Sequence, residues 1–511
     1  MDSPFSSNFA ELLRRAADEH RSRTAILHRG ESVSFEQLAV RAAAIVAALR
    51  DANVRIGDRC AVLIKDPADA AAAFFAVLAV GGIAMNVNEL YRPRQVEYVV
   101  QHSDASVLLT NRDAVEQFGR RLDIQAAMVF VEEVSTQTQD FTVADVPMDA
   151  PAQIMYTSGS TGLPKGVVTS HSALWAGVRI VADYLGLCGG DRIASLLPFS
   201  FVYGFNQLTT SLYKGATLVV VRSSLAAEIV QTLRRERVTV LAAVPPLWQQ
   251  LLNVSRFRNE PLEQLRIMTC AGGKLSPTAV RELRAAQPQA RLFLMYGLTE
   301  VFRSTYLPPE VVDSHPDSMG DAIPESTVYV VRDDGQIAQP GEVGELVHGG
   351  PTVGIGYFRD PDATSRVFRA NPFLKPGETG PARVVFSGDL VRRDAEGLLY
   401  YVGRRDRMIK TLGFRVSPDE ILDVLQSSQF VTDAAVVAEP DEVRGERIVA
   451  CVVLRRGATL ERLVDFCKTE LPRHMQPSRY VVLSAIPRNA NGKHDIPTLA
   501  SQVAEQSVVN Q

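Results

Sequence analysis

The stretch Met155-Tyr156-Thr157-Ser158-Gly159-Ser160-Thr161-Gly162-Leu163-Pro164-Lys165-Gly166 is the most informative part of the chain. It places an unbroken run of Ser, Thr and Gly shortly before a lysine, so backbone N–H groups and hydroxyls can surround phosphate oxygens while the lysine adds a positive charge. The stretch is not a Walker A loop, because Pro164 precedes Lys165 and Gly166 follows it. It also lacks the Gly-x-Ser-x-Gly spacing of a nucleophile elbow. The pattern predicts a phosphate-binding loop of another kind.

Apolar segments on both sides of this loop alternate between strand-like and helix-like patterns. Short runs such as Cys60–Ile64 and Ser106–Thr110 suit strands buried on both faces, and helical patterns such as Phe35–Leu49 separate them. The longest apolar run, Ala70–Met85, contains two glycines and is too short for a membrane span, so it predicts a buried helix that enters a strand. The alternation predicts an α/β fold with mainly parallel sheets.

The character of the chain changes near Ser326, where short strand-like runs joined by Gly, Pro and Asp turns replace the alternation. A small, self-contained α+β pattern begins after Gly403. We therefore predict a large N-terminal domain over residues 1–404, with a β-rich subdomain at about 326–402, and a small C-terminal domain over 405–511. The polar residues 499–510 are expected to fray.

Composition narrows the possible functions. The 511 residues include 54 Lys and Arg and 58 Asp and Glu, a net charge of −4, which predicts neither a nucleic-acid-binding surface nor a polybasic membrane patch. The five cysteines are scattered and never form a C-x-x-C pair, as is typical of reduced thiols in the cytoplasm. The first residues lack a basic segment followed by an apolar one, so no signal peptide is expected. The oligomeric state stays open, with a homodimer as one alternative.

Several motifs occur in an order that resembles the adenylate-forming superfamily, which includes acyl-CoA synthetases, adenylation domains of peptide synthetases and firefly-type luciferases. The phosphate-binding stretch is similar to the signature loop of that superfamily. Further segments resemble its later motifs: Tyr296-Gly297-Leu298-Thr299-Glu300, Gly344-Glu345-Leu346 with Gly354–Phe358, Ser387-Gly388-Asp389, Gly403-Arg404-Arg405-Asp406 with Lys410, and Pro487–Lys493. These segments extend over nearly the whole chain.

The resemblance implies an enzyme that uses ATP and Mg²⁺ to convert a carboxylic acid to an acyl-AMP, releasing pyrophosphate, and then transfers the acyl group to a thiol. It implies that Thr299, Glu300 and Lys493 are catalytic, with Glu300 also binding the metal and Lys493 stabilising the transition state by its charge. The residues implied in nucleotide binding are Thr157, Ser158, Gly159, Ser160, Thr161, Gly162, Lys165, Gly272, Gly273, Tyr296, Gly297, Asp389 and Arg404.

The same resemblance implies that the C-terminal domain rotates between two poses, one for each half-reaction. Asp406 matches the hinge position, where the backbone must absorb a large change in dihedral angles. Lys410, Gly413 and Phe414 would line the thiol channel in the second pose. Leu412 stands where the family often has a Gly or a Ser, so the detailed shape of that channel is not predicted.

The acyl pocket is expected to be mostly apolar and to involve Phe201, Val202, Gly204, Val244, Ala271, Leu298 and Arg303. An aliphatic or aryl acid fits such a lining better than a free amino acid, because no Asp stands near Phe201 to pair with an α-ammonium group. Arg303 is unusual, lying three residues beyond Glu300. One interpretation is an ion pair with a neighbouring carboxylate, and the other is a clamp on a second anionic group of the substrate.

Coenzyme A and the phosphopantetheine arm of a carrier protein both fit as the thiol acceptor, and the compact chain favours CoA. A luciferase-like oxygenase would share every motif. A non-catalytic nucleotide-binding homologue is less favoured because Lys165, Glu300, Asp389 and Lys493 are all present. The eight histidines show no metal-ligand spacing, although His171 lies close enough to the loop to be a candidate for the site.

Overall fold

The computed structural model describes residues 8–119, 122–135, 141–157, 164–375, 377–411, 414–441, 445–489 and 492–509. The elements up to the middle of the chain are α1 (Glu11–His20), β1 (Thr24–His28), β2 (Glu31–Ser34), α2 (Phe35–Asp51), β3 (Arg59–Leu63), α3 (Pro67–Ala79), β4 (Ile83–Asn86), α4 (Pro93–Ser103), β5 (Val107–Thr110), α5 (Arg112–Glu116), β6 (Ala127–Phe130), β7 (Pro151–Thr157), β8 (Lys165–Ser170), α6 (His171–Leu185), β9 (Arg192–Ser195), α7 (Val202–Lys214), β10 (Thr217–Val220), α8 (Ala226–Arg235), β11 (Val240–Ala243), α9 (Pro245–Leu252) and α10 (Ser255–Asn259).

The remaining elements are β12 (Ile267–Cys270), α11 (Pro277–Ala286), β13 (Arg291–Tyr296), β14 (Thr305–Leu307), β15 (Asp321–Ala322), β16 (Thr327–Val331), β17 (Val343–Gly349), β18 (Gly356–Tyr357), α12 (Pro361–Val367), β19 (Phe368–Ala370), β20 (Arg383–Arg393), β21 (Leu399–Arg404), β22 (Ile409–Thr411), β23 (Phe414–Val416), α13 (Pro418–Ser427), β24 (Val431–Asp441), β25 (Gly445–Leu454), α14 (Leu460–Glu470), β26 (Arg479–Val482) and α15 (Ile496–Val509). Short 3₁₀ turns cover Val131–Glu133, Thr299–Val301 and Arg405–Arg407.

Two large sheets form the first part of the molecule. One has nine strands in the order β15-β14-β13-β12-β11-β9-β10-β1-β2, and the other has seven in the order β18-β8-β7-β4-β3-β5-β6. Neighbouring strands in the central part of each sheet are parallel, including β9 with β11, β11 with β12, and β3 with β4. The predicted α/β fold class is therefore confirmed.

The main core joins these two sheets through buried helices. Helix α3 carries the run that the sequence predicted to be a buried helix, and Phe74 and Phe75 are fully buried in it. Phe74 meets Phe205 of α7 edge to face, with ring centroids 4.8 Å apart. Asp66 caps the start of α3 by accepting hydrogen bonds from the backbone N–H groups of Ala68 and Asp69, which stabilises the first turn of the helix.

A third, antiparallel sheet contains β16, β17, β20 and β19 in that order, with β21 paired to β20. A fourth contains β23, β22, β25 and β24, with β26 paired to β25, and it belongs to the small C-terminal domain. Lys274 and Asp423 form an ion pair between the two domains, with 2.5 Å between Nζ and Oδ2. Among the helices in the described ranges, none is both long and apolar enough to cross a membrane.

The expectation that residues 499–510 fray is wrong for the part that the structure describes. Helix α15 continues through this segment to Val509. Leu499 and Val503 lie one helical turn apart, are almost completely buried, and pack with Val437 and Val449 of the C-terminal sheet. Two apolar residues with this spacing are enough to attach an otherwise polar helix to a core.

Candidate active site

The site lies at one edge of the nine-stranded sheet, where four neighbouring strands end. Strands β9, β11, β12 and β13 run parallel, so the segments that follow them, residues 196–201, 244, 271–273 and 297–300, emerge at the same edge. The crevice beyond the carboxyl ends of parallel strands is the usual place for a ligand in an α/β sheet. Nine of the residues predicted for the site come from these four segments: Phe201, Val244, Ala271, Gly272, Gly273, Gly297, Leu298, Thr299 and Glu300.

Most of the predicted acyl-pocket residues lie together. Phe201, Val202, Val244 and Ala271 belong to, or pack against, one hydrophobic cluster. A methyl group at Gly272 would lie 3.4 Å from Val244 Cγ1 and 3.8 Å from the ring of Phe201, so the glycine borders the same wall. Leu298 is placed elsewhere, in a separate apolar cluster with Phe368 and Val385.

Gly204 affects the pocket through close backbone packing and not by lining it. It lies in the first turn of α7, and a methyl group there would be 2.2 Å from the carbonyl oxygen of Pro198. The absence of a side chain lets α7 pack directly on the backbone that leads into it. Gly204 thus positions Phe201 and Tyr203 at the start of the helix.

Tyr296, Asp389 and Arg404 form a compact polar group. The Tyr296 hydroxyl donates a hydrogen bond to Asp389 Oδ2, and Arg404 Nη1 donates to Asp389 Oδ1 at 3.1 Å. Burial raises the pKa of Asp389, and the guanidinium of Arg404 opposes that shift. Burial and the adjacent carboxylate both raise the pKa of Tyr296, so its hydroxyl stays protonated and able to donate. Two donors therefore hold one buried carboxylate in a fixed orientation.

A turn in β20 presents this carboxylate, and the residues that support the turn lie in two of the sequence motifs, although they were not predicted to belong to the site. Gly388 has φ +73°, a conformation that favours glycine, and its N–H donates to Glu345 Oε1 at 2.8 Å. The other oxygen of Glu345 pairs with Arg405 at 3.0 Å. Glu345 therefore ties the turn to the residue that follows Arg404. The Gly344-Glu345-Leu346 motif was the sequence signal from which a role for Glu345 in the site could have been predicted.

Tyr357, which was not predicted to belong to the site, connects Glu300 to the phosphate-binding stretch. Tyr357 donates from its hydroxyl to Glu300 Oε1 at 2.6 Å, and Lys165 Nζ lies 5.5 Å from the centre of the Tyr357 ring. Lys165 begins β8 directly opposite Thr157, the last residue of β7. The hairpin thus holds Thr157 next to Lys165, and Lys165 lies over the tyrosine that binds Glu300. Tyr357 lies in the Gly354–Phe358 motif, and that motif was the signal from which its place in the site could have been predicted.

The donor set fits Mg²⁺. In the part of the chain that the structure describes, no group of three or more His, Cys, Asp or Glu side chains is arranged to hold a metal ion. Glu300 nevertheless keeps Oε2 without a protein hydrogen bond from the described residues, while Tyr357 orients the carboxylate through Oε1. Mg²⁺ at nucleotide sites is commonly held by one or two carboxylates together with phosphate oxygens. One oriented carboxylate beside a phosphate-binding loop meets that requirement.

Lys493 reaches the site from the C-terminal domain. Its Nζ lies 5.9 Å from the centre of the Phe201 ring. Lys493 is open to solvent as a whole residue, but its ammonium group is enclosed by the cleft. This enclosure and the nearby Arg407 lower the pKa of Lys493, while Asp389 acts in the opposite direction. The amine therefore stands between the acyl wall and the polar group around Asp389.

The other predicted residues are placed as follows. Thr299 and Glu300 lie in a 3₁₀ turn after β13, and Gly297 lets the backbone of Arg303 approach, since a methyl group there would be 3.1 Å from Arg303 Cα. Asp406 accepts a hydrogen bond from Arg404 Nε at 3.2 Å.

Some predicted residues lie outside the described part of the chain, namely Ser158, Gly159, Ser160, Thr161, Gly162 and Gly413. The same is true of the side chains of Lys410 and Phe414, whose backbones form β22 and β23. Gly273 follows Gly272, and a methyl group there would lie 3.3 Å from Pro245 Cγ.

His171 takes no part in this arrangement. It is buried at the start of α6, and its Nδ1 accepts a hydrogen bond from the backbone N–H of Phe9 at 3.0 Å. Burial lowers its pKa to about 4, so the ring is neutral at neutral pH. The histidine joins the N-terminal segment to α6 and has a structural role.

The chain is similar to known proteins over nearly its whole length. A family model described as AMP-binding enzyme matches residues 13–358, and a second, described as AMP-binding enzyme C-terminal domain, matches residues 420–493. The chain is 29% identical over 496 residues to an L-proline–(L-prolyl-carrier protein) ligase of Pseudomonas fluorescens, covering 94% of this chain and 96% of that one. It is 28% identical to part of bacitracin synthase 3 of Bacillus licheniformis, a match that covers 99% of this chain and 8% of that protein.

Among solved structures, the chain resembles an o-succinylbenzoate CoA synthetase of Bacillus subtilis in complex with its acyl-adenylate intermediate. The TM-score is 0.84 and the identity 27%, with 96% of this chain and 98% of that chain covered. The same synthetase in complex with ATP and magnesium gives a TM-score of 0.81 at 27% identity, covering 97% of this chain and 99% of that chain.

Proposed function

The chain belongs to the AMP-binding enzyme family, and with that membership as the premise we propose that it is an AMP-forming acid–thiol ligase. It activates a carboxylic acid with ATP and Mg²⁺ to an acyl-AMP, releases pyrophosphate, and transfers the acyl group to a thiol. The observation that carries the proposal is the convergence of Lys493, Glu300 and the pair Asp389–Arg404 at one sheet edge beside an apolar wall.

The chemistry requires negative charge to be stabilised at the α-phosphate while a carboxylate attacks it. Fixed cations close to that phosphate are the main means of doing so. Lys493 supplies one such charge between the acyl wall and the nucleotide residues. Lys165 and Thr157, at the two ends of the β7–β8 hairpin, are proposed to bind the β- and γ-phosphates. When bound at Glu300, Mg²⁺ would neutralise phosphate charge.

Asp389 is proposed to accept hydrogen bonds from the ribose hydroxyls. An ionised carboxylate only accepts, and it has room for several donors. Arg404 keeps Asp389 charged and oriented, and the Tyr296 ring is proposed to lie along the adenine. Thr299 follows Tyr296 by three residues and is proposed to contact the α-phosphate.

We propose that the position of Lys493 beside Phe201 belongs to the pose for acyl-AMP formation. We propose that the C-terminal domain then turns about Asp406, withdrawing Lys493 and bringing the β22–β23 hairpin with Lys410 and Phe414 to the site. In the present pose Asp406 is bound to Arg404, and Lys274 to Asp423. Both are half-exposed contacts that cost little to break.

CoA is proposed as the thiol acceptor, in the cytoplasm. Cys60, Cys188, Cys270, Cys451 and Cys467 are all free, as expected in a reducing compartment. A carrier-protein phosphopantetheine is the second candidate, favoured by the 29% identity to a carrier-protein ligase over nearly its full length.

Acid-dependent pyrophosphate release from ATP tests the proposal. A panel of fatty, aryl, dicarboxylic and amino acids is assayed without a thiol and again with CoA. Release that depends on one class of acid and rises with CoA supports a CoA ligase. Release that CoA does not stimulate supports a carrier-protein acceptor. No release with any acid, while ATP still binds, contradicts the proposed function.

A further inference from the structure

Arg303 is a buried arginine next to the acyl wall. Only 3% of its surface is exposed, and its guanidinium carbon lies 5.1 Å from the centre of the Tyr203 ring. Tyr203 lies in the first turn of α7, two residues after Phe201, and its hydroxyl hydrogen-bonds Thr269 Oγ1 at 2.5 Å. The guanidinium therefore lies beside the pocket formed by the carboxyl ends of β9, β11 and β12.

The backbone before Arg303 is strained in a way that fixes its direction. Phe302 has φ +61° and ψ −57°, and the N–H of Arg303 donates to the carbonyl of Val301 at 2.6 Å. These values describe a rare, costly γ-turn. The Phe302 ring fills the space beside Gly177, where a methyl group would be 2.6 Å from Phe302 Cδ1. The packing holds the turn, and the turn directs Arg303 toward Tyr203.

Two guanidinium nitrogens of Arg303, Nε and Nη2, are buried and make no hydrogen bond to any of the described residues. No carboxylate in the described ranges forms an ion pair with Arg303 either, so the ion-pair interpretation of this residue finds no partner there. Gln207, one helical turn after Tyr203 on α7, likewise has a buried Nε2 and Oε1 without partners. A buried charge with unused donors is expensive in a folded protein.

We propose that the acid activated by this enzyme is a dicarboxylic acid, and that Arg303 binds the carboxylate that does not react. The reacting carboxylate faces Lys493, and the second one completes the hydrogen bonding of Nε and Nη2, which present a pair of donors suited to a carboxylate. The same positive charge opposes the ammonium group of an amino acid. This inference rests on the proposed function, because it assigns a substrate class to the same site.

The test compares dicarboxylic acids of increasing length with their monomethyl esters, which keep the size and remove one charge. Pyrophosphate release is measured for the wild type, Arg303→Gln and Arg303→Lys. The wild type is expected to prefer a diacid over its monoester by about 100-fold in kcat/KM, the scale of a buried hydrogen-bonded charge pair. Arg303→Gln should remove that preference mainly through KM for the diacid, and Arg303→Lys should retain part of it.

Arg284→Gln is the matched control. It removes the same charge on α11, where Arg284 pairs with Asp313, and it should leave the preference unchanged. An unchanged KM for ATP in Arg303→Gln establishes that the variant folds. A wild type that releases pyrophosphate equally well with diacids and monoesters overturns the inference, as does an equal loss for both in Arg303→Gln. In both cases the proposed ligase function stands. No release with any acid overturns the proposed function, and the inference with it.

Discussion

Tyr357 is the residue on which the position of Glu300 depends most directly. Its hydroxyl donates to one carboxylate oxygen of Glu300, and its ring lies under Lys165. Burial and the Glu300 carboxylate both raise the pKa of Tyr357, so the hydroxyl remains a donor at any working pH. Tyr357 thereby contacts both the proposed metal-binding residue Glu300 and the proposed phosphate-binding residue Lys165.

Tyr357→Phe removes the hydroxyl and keeps the ring. We expect the apparent Mg²⁺ requirement to rise and kcat to fall by about tenfold, the scale of one hydrogen bond to a charged group, with little change in the KM for the acid. A Mg²⁺ titration of pyrophosphate release measures this. Tyr329→Phe, on β16 away from Glu300, serves as the control. An unchanged Mg²⁺ dependence in Tyr357→Phe would show that Glu300 needs no orientation by Tyr357.

At the scale of single residues, the sequence predicted which residues belong to the site better than it predicted the contacts between them. The motifs named Asp389, Arg404, Glu300 and Lys493, and the structure brings these residues to one place. Tyr357 and Glu345 were not assigned because their roles are contacts between distant segments, which spacing along the chain does not reveal. Whether Arg303 had an acidic partner also depended on the three-dimensional packing.

The element that most shapes the acyl pocket is helix α7. Its first turn packs against the backbone of Leu197 and Pro198, and the contact is possible only because Gly204 has no side chain. The position of Phe201 and Tyr203 follows from this close approach. A change at Gly204 therefore acts on the pocket through the whole start of the helix.

Gly204→Ala is expected to destabilise the protein by about 1–3 kcal/mol, because backbone atoms rather than flexible side chains must move to accept the methyl group. It should also raise the KM for the acid more than the KM for ATP. Urea unfolding and steady-state kinetics measure the two effects. At Gly190 a methyl group would meet only Cys188 Sγ at 3.9 Å, so Gly190→Ala is the control. Equal stability of both variants would contradict the close-packing account.

Long elements with clear periodicity were predicted well. The strand predicted at Ser106–Thr110 is confirmed at Val107–Thr110, and the helix predicted at Phe35–Leu49 is confirmed and extends two residues further. Short strands such as β14 and β15 escaped prediction because two or three residues cannot establish a period. Helix α15 was wrongly expected to fray, because only Leu499 and Val503 reveal its buried face.

For the molecule as a whole, several polar contacts join the two domains in this orientation, including hydrogen bonds from Ser417 Oγ to the carbonyl of Val402 and from the Tyr401 hydroxyl to Asp419. Lys274 and Asp423 form an ion pair across the boundary, with both side chains partly exposed.

Lys274→Met should lower the rate of pyrophosphate release by about two- to fivefold, the range for a partly exposed pair. Lys468→Met, which breaks a pair with Asp465 inside the C-terminal domain, should have no such effect. Identical rates for the two variants would mean that the interdomain pair does not hold this pose.

Two buried histidines should make the whole fold sensitive to acid. Burial lowers the pKa of His171 to about 4 and that of His348 to about 3, below the ordinary value of 6.5. As pH falls below 6.5, the two histidines become protonated in the unfolded chain but stay neutral in the folded chain. The free energy of unfolding therefore decreases with falling pH until the folded-state pKa is reached. The loss is about 2 kcal/mol for each histidine by pH 5.

Urea unfolding at pH 7.5 and pH 5 measures this loss. His171→Asn keeps an acceptor for the Phe9 N–H and does not titrate, so it should reduce the difference between the two pH values. A difference as large in His171→Asn as in the wild type would show that other groups cause the acid sensitivity.

The central claim is that one site performs two half-reactions in two domain poses, with Lys493 serving only the first. The most direct measurement follows both half-reactions in Lys493→Ala: acid-dependent pyrophosphate release from ATP, and thioester formation from supplied acyl-AMP and CoA. We expect pyrophosphate release to fall by about 100-fold or more, as for the loss of a transition-state charge contact, while thioester formation stays close to the wild-type rate. Loss of both half-reactions together, or of neither, would contradict the account.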